Sequence, residues 1–274
     1  MKKTSITVAL LLVAPLSFST FAEEYQSIFN AHSIFNDDLD SLNSLSYSYF
    51  FKKLETRGPL DYFGFNQRVN QITVSTAFPD LDLFKDRNLG VNLSHNYNNW
   101  QLSASYSKLE SDTAYTDADF YTVSGQYFLS ENWDIGIRYQ DNDYKSGHQS
   151  FHDDSGFTVF TNYLVNLSGD ATLGLSLSYE DKSSDANLSA VYFTPLADGR
   201  FFSASISTNE NFDVLASGKY YFDKSTAVEM SLDEGDVSNI GYSKFLNANY
   251  KVAVGVTYPF EDHRLYNLSL TGYF

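Results

Sequence analysis

The chain has 274 residues, 43% of them hydrophobic and 17% aromatic, with 21 Tyr and 23 Phe and a mean hydropathy of −0.30, which is too polar for a bundle of membrane-spanning helices. Thirty-four acidic residues against 18 basic ones give a formal charge of −16; this argues against nucleic acid as a partner, because neutralising phosphates needs a basic face. The absence of cysteine excludes a disulfide framework, a thiolate nucleophile and cysteine-ligated zinc, and suits a chain that crosses an oxidising compartment.

Lys2 and Lys3 precede an apolar stretch from Val8 to Pro15, and small residues follow up to Ala22. This is the anatomy of a secretory leader, with cleavage expected after Ala22, because the apolar run falls short of the roughly 20 residues of a spanning helix. Residues 1–22 are then a signal peptide and 23–274 the mature unit, whose 16 basic and 34 acidic residues give a formal charge of −18.

From residue 24 onward the pattern has period two. Leu89, Val91, Leu93, His95 and Tyr97 lead through Asn98-Asn99 into Trp100, Leu102, Ala104 and Tyr106, two alternating ladders joined by a tight turn. The same arrangement recurs from Tyr121 to Tyr139 through Ser130-Glu131-Asn132, and from Phe157 to Tyr179 through Ser168-Gly169-Asp170. Strands are predicted at 24–35, 41–52, 66–78, 87–97, 100–109, 120–129, 133–140, 156–166, 172–181, 186–194, 200–208, 213–222, 226–234, 237–246, 250–258 and 265–274. That is about sixteen, the even number a bacterial single-chain barrel needs, with fourteen the alternative if weak N-terminal candidates are turns or a plug.

Between the apolar positions lie small polar ones: Asn88, Gly90, Asn92, Ser94 and Asn96 on one strand, Gln101, Ser103, Ser105 and Ser107 on the next. A soluble sandwich shows the same alternation. Three features favour a transmembrane barrel. Tyr and Trp concentrate at strand ends, as interfacial girdles do. Short connections alternate with longer acidic ones at Glu110 to Asp119, Asp141 to Asp154 and Glu180 to Asp185. The chain stops at Phe274 directly after an alternating strand.

The segment from Tyr266 to Phe274 resembles the C-terminal signal of Gram-negative outer-membrane proteins, and the resemblance implies recognition by the barrel assembly machinery. Glu55-Thr56-Arg57-Gly58-Pro59-Leu60-Asp61-Tyr62-Phe63-Gly64 resembles an early connection in the general bacterial porin family. That likeness implies a homotrimer in outer-membrane lipid and lipopolysaccharide.

The expected fold is therefore all-β, a transmembrane antiparallel up-and-down barrel. Sixteen strands leave an aqueous channel where eight are filled by side chains. On the inward parity the charges are sparse, and Asp134, Arg138, Glu180, Lys219, Glu229 and Lys251 are the pore-lining candidates; rings of charge tune ion preference, and the acidic surplus predicts a weak cation preference. No loop reads as long enough for a deep fold-in, Asp141 to Asp154 being the best candidate. Phe128, Phe160, Phe193 and Phe245 also take the inward parity and count against an open lumen.

Other chemistry is thin. Asp37-Asp38-Leu39-Asp40, Asp153-Asp154, Asp233-Glu234-Gly235-Asp236 and Glu261-Asp262 lack the twelve-residue spacing of a calcium loop. His148 and His152 beside Asp153 and Asp154 are the one concentrated titratable group, and no catalytic set, metal site or cofactor motif is assigned. The expectation is a non-enzymatic outer-membrane porin, a passive diffusion channel for small hydrophilic solutes and ions. The rival is a closed structural or adhesive barrel that binds partners or divalent ions through its acidic loops.

Overall fold

The computed structural model describes residues 24–36, 40–56, 58–63, 68–79, 86–111, 116–146, 149–152, 155–233, 238–258 and 264–274. The expected leader lies outside them, as do His148, Asp153-Asp154 and most of the other acidic clusters.

Seventeen strands form one sheet: β1 (Glu24–Phe35), β2 (Ser41–Glu55), β3 (Gln71–Pro79), β4 (Arg87–Tyr97), β5 (Trp100–Ser111), β6 (Thr116–Phe128), β7 (Trp133–Ser146), β8 (Gln149–His152), β9 (Gly156–Asn166), β10 (Thr172–Glu180), β11 (Ala186–Pro195), β12 (Phe201–Thr208), β13 (Val214–Tyr221), β14 (Thr226–Leu232), β15 (Ser238–Phe245), β16 (Tyr250–Tyr258) and β17 (Leu265–Tyr273). Every pairing is antiparallel. β8 and β9 both pair with β7, so they count as one interrupted wall strand and the wall has sixteen. β1 pairs with β2 and also with β17 in a register running from Ile28↔Tyr273 to Phe35↔Tyr266, which closes the barrel and leaves no sheet edge.

Two turns show why the chain folds back where it does. The Tyr97↔Trp100 pair is closed by Asn98, at φ 52°, and Asn99; Asn tolerates the left-handed region that a two-residue hairpin demands. Gly169 and Asp170, at φ 70° and 62°, make the same kind of reversal between β9 and β10.

The alternation sorts each strand into two faces. Outward lie exposed apolar side chains such as Leu93, Leu102, Val123, Ile137, Val159, Leu177, Ile206, Met230 and Val254. Aromatic pairs bound this band: Trp100 with Tyr127 (4.9 Å) and Trp133 with Tyr163 (6.4 Å) at one end, Tyr106 with Tyr121 (5.1 Å) and Tyr139 with Phe157 (5.0 Å) at the other. On all four strands the two rings are separated by the same six positions, about 20 Å of strand. That repeat matches an apolar band girdled at both interfaces and would have no purpose on a surface facing water.

Two expectations about the connections are corrected. β5, β6 and β7 run past the outer girdle to Ser111, Thr116 and Ser146, and β7 then pairs with β8, so Glu110 to Asp119 and Asp141 to Asp154 are mostly ladder. Backbone pairing beyond the membrane band requires no apolar face, and mixed polar sequence concealed it. The long connection, residues 56–70, lies at the opposite end, among turns of two to five residues. β3 starts at Gln71, later than predicted, because Arg68 and Asn70 belong to this connection.

Candidate functional site: a strap across the mouth

Sixteen strands spaced 4.8 Å apart and tilted by about 40° enclose a tube about 30 Å across, backbone to backbone. Inward side chains alone cannot close such a bore. The segment 58–63 narrows it. In the sixteen-strand ring β11 stands opposite β2, yet the segment leaving β2 reaches β11, β12, β13, β15, β16, β17 and β1. Contact with all of these strands at once is attainable only from inside the tube.

Its backbone is built for close approach. Gly58 has φ +97°, and a Cβ there would lie 2.6 Å from Cε1 of Phe201; both facts require glycine. Pro59 and Leu60 are buried, the latter at 1% exposure. The Tyr62 amide donates to the Pro59 carbonyl at 3.1 Å, and the Leu60 amide donates to the Lys224 carbonyl, in the β13–β14 turn, at 2.9 Å.

Apolar contacts seat the segment on two sides. Leu60 enters a cluster of Tyr25, Phe245 and Tyr273, with Phe63 edge-on to Tyr25 at 6.1 Å. Tyr62 stacks on Phe193 with ring centroids 3.9 Å apart and planes 10° from parallel, within a second cluster of Phe201, Tyr221 and Ala227. Such stacking contributes about 0.5–1.5 kcal/mol beyond the buried area. Further along, the Arg68 guanidinium sits 3.7 Å above the Phe128 ring and donates to the Ser130 carbonyl at 2.9 Å. The Asn70 carbonyl accepts from the Phe51 amide at 2.9 Å, which returns the chain to the wall.

Asp61, between these apolar anchors, carries the charge. Its Oδ2 accepts from Lys251 Nζ at 2.6 Å and from Lys219 Nζ at 3.1 Å, and its side chain is 9% exposed. Glu229 Oε2 lies 3.7 Å from Lys219 Nζ. Burial alone would raise the Asp61 pKa, but the two ammonium groups outweigh it and hold the carboxyl below its usual value, so Asp61 is an anion at neutral pH.

All six sequence-derived candidates lie on the inward parity, and the structure brings three together, with Lys219, Glu229 and Lys251 converging on Asp61. Arg138 is exposed to the lumen, its guanidinium 5.6 Å over Phe160. Glu180 is half-buried at the far end of β10. Asp134 has no exposed surface and accepts from Asn162 Nδ2 at 2.7 Å, which makes it a strut of the wall and not a lining group. Of the four inward phenylalanines, Phe193 and Phe245 hold the strap and Phe128 lies under Arg68. Phe160 lies over Gly136, where a Cβ would be 2.3 Å from its Cζ, so its ring is laid against the wall. Asp61 itself was missed. Its signal was a Gly-Pro turn followed by the pair Tyr62-Phe63 in a region without period two. Among the described residues no group of three or more His, Asp or Glu could hold a metal ion.

Residues 1–268 match the family described as "Putative general bacterial porin". The chain belongs to the general bacterial porin family. This porin is thus an outer-membrane channel, in a family of non-enzymatic channels, and its short-turn end is the periplasmic one. Its fold is similar to that of Omp33 of Acinetobacter baumannii, with a TM-score of 0.52 and 15% identity over 92% of this chain and 99% of that one. It is also similar to a multiply substituted porin of Rh. blastica, with a TM-score of 0.53 and 10% identity over the same shares. At those identities the likeness concerns the fold alone. No curated protein matches in sequence at a significant level.

Proposed function

We propose that this porin passes small hydrophilic solutes and ions by passive diffusion, with a weak preference for cations. The observation that carries the reading is the inward face beyond the strap, where Asn88, Ser107, Ser178, Ser207, Ser231, Asn239 and Asn267 present small polar groups from seven of the wall strands. Such a surface stays wetted and binds nothing tightly, so width sets which solutes pass. The cation preference is supported by acid at the external end, where Asp40, Asp86, Asp181, Asp185, Glu210, Asp213 and Asp233 outnumber Lys182 and Arg264 in the described connections. It is weak because the charges in the bore balance, Asp61, Glu180 and Glu229 against Arg138, Lys219 and Lys251.

The test is single-channel conductance of the refolded protein in a planar bilayer, with a salt gradient to give the reversal potential. Stable steps with a cation-signed potential are expected. The strap is the observation that favours a closed barrel instead, and a folded but silent protein would establish that reading. Three accompanying proposals have their own measurements. Residues 1–22 are a cleaved leader, which the N-terminal sequence of the exported protein tests. Assembly depends on the segment ending at Phe274, which removing that phenylalanine tests. Three copies associate, which native mass measurement in detergent tests.

A further inference from the structure

The periplasmic strap accounts for more than a narrowing. A carboxylate fixed by two lysines from strands β13 and β16, at the only place among the described residues where the chain crosses the bore, sets both the width and the charge of that section. We propose that residues 58–63 are the selectivity filter of the channel and that Asp61 is its specificity-determining residue, pinning the strap to Lys219 and Lys251 and cancelling their charge. This rests on the channel reading above and deepens it.

The charges around the pin are few and close. Asp61 and Glu229 carry two negative charges and Lys219 and Lys251 two positive ones, so the filter is electrically balanced while the pin holds. Each ammonium is under-hydrated, with side-chain exposures of 20% and 16%, so an unmatched charge here acts on a permeating ion through a lower dielectric than the open lumen provides. The pin also crosses the fold. Asp61 is 158 residues from Lys219 and 190 from Lys251, and its flanking anchors, Leu60 and Tyr62, bear on different aromatic clusters. Losing the pin therefore loosens the strap across its width without dissolving either cluster.

Two opposite variants separate this from a purely structural tie. Asp61→Ala breaks the pin and leaves Lys219 and Lys251 with Glu229 alone to offset them, a surplus of one positive charge. Lys219→Met with Lys251→Met breaks the same pin and leaves two carboxylates. Both are expected to raise single-channel conductance, by about 1.5-fold or more if the strap is the narrowest section, while their reversal potentials move in opposite directions, the first toward anions and the second toward cations. Asp61→Asn, nearly isosteric, is expected to give the anion-ward shift with a smaller conductance change, and it carries the test should the truncations fail to fold, as read by heat-modifiable gel mobility.

Conductance and selectivity equal to wild type in all three folded variants would overturn the filter assignment, and so would reversal potentials that shift in the same direction. A folded wild type and variants that are all silent would defeat the channel reading itself, an outcome distinct from a conducting wild type that its variants merely match.

Discussion

The two ends of this lumen obey different rules although the same strands build both. At the external end the inward positions include many Ser, Asn and Thr beside Phe120, Glu180 and Leu215, and the wall strands run on beyond the aromatic girdle with nothing among the described residues crossing the bore. At the periplasmic end the inward positions of β1, β11, β12, β13, β15 and β17 are Tyr25, Phe193, Phe201, Tyr221, Phe245 and Tyr273. Those rings would project into water were residues 58–63 not laid over them. The difference shows that inward aromatics in a wide barrel are not evidence of a filled core; here they form a seat for one inserted segment.

The contrast breaks most completely if the segment cannot sit. Gly58→Val introduces a Cβ 2.6 Å from a ring carbon at a left-handed φ, which should unseat the strap at a cost of about 3 kcal/mol or more. The expected result is hydrogen exchange at the Leu60 amide accelerated about a hundredfold or more, with external amides of β5 and β6 unchanged. Leu60→Ala removes an anchor that is 1% exposed and should loosen the same amides by about 2–4 kcal/mol. Tyr62→Ala, which loses the stack on Phe193, should cost about 1–3 kcal/mol in that measurement. A uniform effect along the whole barrel would show that the ends are not separable.

Smaller effects sharpen the comparison. Neutralising Asp185 and Glu210 together should reduce the cation-signed reversal potential at 0.1 M salt and leave it unaltered at 1 M, where the screening length is about 3 Å; the Asp61 variants should keep their shifts at both, being less open to solvent. The smallest effect concerns pH. A carboxyl whose folded pKa is depressed keeps its ion pair above the ordinary value of about 3.9 and loses it as pH falls through the lower folded value. The charged groups facing Asp61 are Lys219, Lys251 and, at one remove, Glu229, beside the phenols of Tyr221 and Tyr273, so conductance should be level from pH 8 to 5 and rise only below about pH 4. A conductance change centred near pH 6 would refute the assigned protonation state.

Much of this was legible in the sequence. The wall strands could be placed from residues 24 to 274 because a barrel wall with lipid outside and water inside imposes strict period two, and Lys219, Glu229 and Lys251 fell on the correct face for that reason. Parity reports a side chain's face and nothing of what stands across the bore. Phe193 and Phe245 thus read as obstacles when they are supports, and Asp134 read as lining when Asn162 covers it. Asp61 was invisible for the same reason, since its partners lie more than 150 residues away and its own segment has no period.

The seam between β1 and β17 and the seat of the strap share a timing. Leu60 and Asp61 leave the second strand, but their partners arrive on β13, β15, β16 and β17, and Tyr25 is completed as a contact only when Tyr273 lies beside it. Contacts so distant along the chain form late. A half-assembled barrel therefore has a bare periplasmic mouth, and the step that joins its two edges is also the step that gives the tube its filter.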